Sequence, residues 1–136
     1  MEEKLLTNYK INIMSTRATI RFATREEGVT FNEHPKKWHA QFYKHNDGYP
    51  EGLGVDIAES ILNNEKLTNW EIEHVDTVHG DIEYMYYIWQ DFNKGIWISI
   101  FEINGFDGLA PKDECIFVGR ADKLIGKYKL NTNNDG

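Results

Sequence analysis

Of the 15 Lys and Arg residues in the chain, only Arg17, Arg21, Arg25 and Arg120 are arginine, and the first three lie within nine residues of one another. A guanidinium offers a planar fork of donors that matches phosphate and carboxylate, which a lysine ammonium does not. On an extended strand, Arg17, Thr19 and Arg21 project from one face, with about 13 Å between the two arginines. An Arg-x-Thr-x-Arg strand face is an anion platform. The competing reading is neutralisation by some of the 22 Asp and Glu residues, since charged strand faces are usually only solvated.

Two further segments bear chemistry. Tyr43-Lys44-His45-Asn46-Asp47-Gly48-Tyr49-Pro50-Glu51-Gly52-Leu53-Gly54 is a Gly-rich turn that feeds a helix. Such a turn can aim backbone N–H groups at an anion, or can simply be a tight turn whose Pro starts the helix. It lacks the Gly-Lys-Ser/Thr ending of a nucleotide-binding P-loop. In Asp91-Phe92-Asn93 an exposed Phe would stack on a base and an amide would read its edge; alternatively the Phe folds back onto the sheet.

His39, His45 and Asp47 are close enough in sequence to meet, with His34, His74 and His79 elsewhere. There is no His-Glu-x-x-His, no Cys-x-x-Cys and no Gly-x-Ser-x-Gly, so no metal, cofactor or catalytic residue is expected. Cys115 sits in an apolar run and reads as core.

Alternating apolar residues predict strands around Ala18-Ile20-Phe22, Trp38–His45, Trp70–Val75, Ile82–Gln90, Ile96–Ile103 and Cys115–Val118. In the second of these, Trp38, Ala40 and Phe42 share one face and His39, Gln41, Tyr43 and His45 the other. Leu53, Ile57, Ala58, Ile61 and Leu62 stripe a helix over about 53–64, ended by Asn63-Asn64. A short helix follows Gly119-Arg120-Ala121-Asp122, and 104–113 reads as a loop. Hairpin-length connections predict an α+β fold: an antiparallel sheet of about five to six strands with one main helix and a short C-terminal helix.

With 136 residues, the chain fits one domain, over 14–130. Residues 1–13 form either an extension or an added strand, and 131–136 a polar tail. A net charge of −7 argues against duplex nucleic acid, whose binding rests on phosphate neutralisation. One cysteine, no long apolar run and no signal-peptide pattern lead to the expectation of a cytoplasmic protein with no membrane partner.

Met14-Ser15-Thr16-Arg17-Ala18-Thr19-Ile20-Arg21-Phe22 together with Tyr43-Lys44-His45-Asn46-Asp47-Gly48-Tyr49-Pro50-Glu51-Gly52 resembles bacteriophage proteins, and in particular the Thoeris anti-defence sponges of the first type. The resemblance spans about 14–128. It implies a homo-oligomer, with pockets between subunits, that sequesters a cyclic ADP-ribose isomer made by bacterial TIR enzymes. The ligand is held uncleaved, and some members also take cyclic oligonucleotides. Arg17, Arg21 and Arg120 would then grip the pyrophosphate, and Phe92 and Asn93 the base, with Asp122 and Tyr49 as further contacts. Two other classes stand beside it: a phosphodiesterase or nucleotide hydrolase built on His45, Asp47 and His39, and a protein–protein adaptor with no small ligand.

Overall fold

The computed structural model describes residues 16–24, 32–65, 70–91, 93–108 and 110–129. The 1–13 extension and the 131–136 tail lie outside them. Strands β1 (Ala18–Thr24) and β2 (Lys37–Lys44) are followed by a π-helical turn, Pro50–Gly54, that runs into helix α1 (Val55–Asn63). Then come β3 (Glu71–Glu73), β4 (Tyr84–Gln90), β5 (Ile96–Asp107), β6 (Ala110–Arg120) and helix α2 (Ala121–Tyr128). The fold is α+β, with one six-stranded sheet in the order β3-β2-β1-β4-β5-β6. No described helix is long and apolar enough to cross a membrane.

The sheet is mixed, where hairpin-length connections had suggested an antiparallel one. β1 pairs with β4 in parallel, Ala18 opposite Tyr84 through Thr24 opposite Gln90. The segment from β2 through α1 and β3 carries the chain round, so that β4 enters on the free side of β1. Periodicity reports neighbours in sequence and carries no signal for that return. The expected 104–113 loop is also mostly strand. β5 and β6 continue to a turn at Gly108, with Asp107 opposite Ala110, and an irregularity between Ile103 and Phe106 hid the alternation.

One face of the sheet carries both helices. Ala18, Ile20, Tyr86, Ile88, Ile98 and Ile100 pack there against Leu53, Ile57, Ala58 and Leu124. Leu62, placed on the apolar stripe by spacing, is instead 56% exposed. Asn64 ends α1 in the left-handed region with φ 54°, which Asn tolerates better than most residues.

The opposite face, which carries neither described helix, is aromatic. Tyr43, Met85, Tyr87, Trp89 and Phe101 are buried there, with Trp38 and Trp97 packed against them. β4 is therefore buried on both faces from Met85 to Trp89.

Candidate ligand-binding site

Trp38 does not share a face with Ala40 and Phe42 as strict alternation predicts. Phe22 pairs with Ala40 but Ala23 pairs with Trp38, so His39 is an extra residue in β2. A bulge of this kind inverts the alternation beyond it. It swings Trp38 onto the aromatic face, where its indole N–H donates to the Val75 carbonyl at 2.8 Å.

Arg21, projecting from β1 on that face, lays its guanidinium over Trp38, 3.8 Å from the ring centroid. Its Nε donates to Gln41 Oε1 at 2.8 Å and its Nη1 to the Tyr87 hydroxyl at 2.9 Å. Both acceptors are neutral. Among the described residues no carboxylate lies within ion-pair distance of Arg21. A half-buried guanidinium held by neutral groups keeps its positive field for a ligand. Beside it, Lys36, Lys37, Trp38, His39, Val75 and Asp76 line an open cleft of about 320 Å³, within the size range of small-molecule sites.

The neighbouring polar groups form a chain across the sheet. Tyr87 Oη lies 2.7 Å from His34 Nδ1, and His34 Nε2 lies 2.5 Å from Asp113 Oδ2. The His34 ring stacks on Phe101 at 3.8 Å. Burial is the largest influence on His34 and lowers its pKa from the usual 6.5, with Asp113 opposing. Burial also raises the Tyr87 phenol, against the pull of Arg21. One protonation pattern satisfies every member: Tyr87 accepts from Arg21 and donates to Nδ1 of a neutral His34, whose Nε2–H donates to Asp113.

That pattern sets a pH dependence. His34 takes up a proton more readily in the unfolded chain than in the fold, so its contribution to stability is complete above about pH 6.5. The contribution falls as pH drops from there toward the lower folded-state value. The urea midpoint should therefore be lower at pH 5.5 than at pH 7, and His34→Gln should flatten that difference; an unchanged slope in the variant would show that other groups govern it.

On the other side of Arg21, Gln41 Nε2 donates to Glu73 Oε2 at 2.5 Å and to the Thr77 carbonyl at 2.8 Å. Glu73 also meets His79 Nε2 at 2.7 Å, and the His79 ring stacks on Tyr43 at 3.9 Å. Burial and the Asp81 hydrogen bond push the Tyr43 phenol up to about 12. Asp81 in turn pairs with Arg17 at 3.3 Å.

Arg17 and Arg21 thus share one face, as strand spacing requires, but among the described residues Arg17 is matched by a carboxylate and Arg21 is not. Arg120 lies three strands from β1, about 14 Å away. It meets Asp91 Oδ2 at 3.1 Å and sits over the Trp97 ring. The Trp97 indole N–H first, then the Gly95 and Asn93 backbone N–H groups, hold the Asp91 carboxyl below its ordinary range. Arg120 and the Asn93 backbone therefore belong to the β4–β5 turn. Asp122 is exposed in the first turn of α2. Tyr49 is half-buried just before the π-helical turn, and Phe92 lies outside the described residues.

His45 pairs with Glu71 at 2.9 Å and His39 with the Thr24 hydroxyl, while Asp47 sits in the turn with φ 55°. Those three side chains thus have separate surroundings. No group of three or more His, Cys, Asp or Glu among the described residues could hold a metal ion. Cys115 is half-buried, and burial raises its thiol pKa.

The residues that sequence reasoning missed at the site are Trp38, Gln41, Tyr87 and His34. Gln41 and Tyr87 are 20 and 66 positions from Arg21, and only the sheet order connects them. No protein-family model, no curated protein and no solved structure matches this chain.

Proposed function

We propose that this chain is a binding protein that sequesters, without cleaving it, a nucleotide-derived cyclic small molecule of the cyclic ADP-ribose type, and so withholds a TIR-dependent immune signal. The observation that carries the reading is Arg21, a guanidinium stacked on Trp38, held by two neutral acceptors and, among the described residues, facing no carboxylate. A pyrophosphate would supply the missing charge, and the adjoining cleft with Lys36 and Lys37 has room for a ring against Trp38. Sequestration needs tight binding, because the sponge competes for its ligand by mass action. A pocket closed by a second subunit is one route to that affinity. Val78, 49% exposed on the wall of a neighbouring cavity that Arg21 also lines, is suited to such a contact.

The test is calorimetric titration with cyclic ADP-ribose isomers, followed by heating the complex and chromatography of the released ligand. Binding with intact ligand recovered is the expected result. Arg21→Ala should weaken it by roughly 10- to 100-fold, the loss of a charge-assisted contact. Recovery of a new product would make the chain an enzyme. Absence of heat with every isomer and with cyclic oligonucleotides would sink the reading and favour an adaptor role.

A further inference from the structure

A second, smaller cavity lies on the same face, between β1, β4 and the segment that precedes β4. It has a volume of about 50 Å³, and Thr19, Arg21, His79, Met85 and Phe106 are among its walls. Thr19 is only 2% exposed. Among the described residues nothing hydrogen-bonds to its hydroxyl. Buried hydroxyls are nearly always partnered, so an orphan on a cavity wall marks a missing group. Beside it, Arg21 has spent two of its N–H groups, on Gln41 and Tyr87, out of the five a guanidinium carries.

We infer that this cavity is an oxyanion site, in which the Thr19 hydroxyl and the free N–H groups of Arg21 hold a phosphoryl group of the ligand. The inference rests on the reading of this face as a ligand site and says which part of the ligand enters first. The volume is several times the roughly 10–15 Å³ that one water needs. That suits a phosphoryl group and is too small for a whole nucleotide, whose remainder would extend past Arg21 toward Trp38. Beside Thr77 and His79, the side chains of Val78, Ile82, Met85 and Phe106 give the cavity an apolar wall, which strengthens an N–H to oxyanion bond once water leaves. Among the described residues, the carboxylate of Glu73 is occupied by His79 and Gln41, and that of Asp81 by Arg17 and Tyr43.

The probe is inorganic phosphate, read by phosphorus NMR line broadening and by the melting temperature of the full chain against chloride at equal ionic strength. Phosphate should broaden and should raise the melting temperature. Thr19→Val keeps the shape and removes only the orphan hydroxyl, so the ligand-free variant should melt no lower than the parent. Its phosphate affinity should fall about tenfold, the loss of one hydrogen bond to a charged group, and Thr19→Ser should restore it. Arg21→Gln should abolish the response. An undiminished phosphate response in Thr19→Val, or none in the parent at tens of millimolar phosphate, overturns the site. Phosphate binding without binding of any cyclic ADP-ribose isomer leaves the oxyanion site standing and removes the sequestration reading. Isomer binding that Thr19→Val does not weaken removes the oxyanion site alone.

Discussion

Tyr86→Ala should leave the chain largely unfolded at room temperature. Tyr86 lies in β4, between β1 and β5, and is fully buried against the helices. Its hydroxyl donates to the Gly48 carbonyl at 2.6 Å, and its ring packs against Gly54, where a Cβ would stand 3.5 Å from it. One side chain thus ties both ends of the 48–54 segment to the centre of the sheet. Truncating a buried aromatic to alanine costs about 3–5 kcal/mol through lost burial and the cavity left behind. Stranding the Gly48 carbonyl adds to that, at roughly 1 kcal/mol or more. The sum approaches the roughly 5–15 kcal/mol that holds a typical domain together. Tyr86→Phe separates the two terms: it keeps the ring and should cost only about 1–2 kcal/mol in urea unfolding at unchanged m. A phenylalanine variant as stable as the parent would show that the hydroxyl does not hold the turn.

Tyr86 was legible from sequence as a core residue, because β4 alternates and its even-numbered positions face the helices. The same holds for Ala18 and Ile20, for Ile98 and Ile100, and for most of the α1 stripe. What alternation could not carry is who lies beside whom. β1 and β4 are separated by some 60 residues and run parallel, so no turn between them announces the pairing. The inserted residue at His39 is invisible to a period-two pattern, yet it alone moves Trp38 to the face of Arg21. That Arg17 and Arg21 share one face was legible from strand spacing. Arg17 and Arg120 turned out to face Asp81 and Asp91, carboxylates 64 and 29 positions distant, a distinction that resides in the fold. His34 is the converse case. Nothing around it in sequence suggested a role, and the fold stacks it on Phe101 and joins it to Tyr87 and Asp113.

Gly48→Ala should be nearly as damaging, for a steric reason. Gly48 does not need a positive φ; it needs the absence of a side chain. A Cβ there would stand 2.8 Å from Ala18 Cβ and 3.1 Å from the Thr16 carbonyl oxygen, the same oxygen that accepts the Gly48 N–H at 3.0 Å. The Ser-Thr-Arg-Ala-Thr stretch and the Asp-Gly-Tyr-Pro turn therefore meet through their two smallest residues. Neither backbone can retreat without breaking sheet or turn bonds, so the overpacking should cost about 2–3 kcal/mol. Ala18→Gly in the same chain removes the closest of these contacts. A double-mutant cycle between positions 18 and 48 should thus show a coupling of about 1 kcal/mol or more in favour of the pair; additive costs would mean that the two motifs do not meet as described. The cycle also separates scaffold from chemistry. Ala18 faces the helices while Thr19 and Arg21 face the cavity. Under conditions where it stays folded, Gly48→Ala should bind phosphate as the parent does, and Thr19→Val should melt as the parent does and bind it poorly.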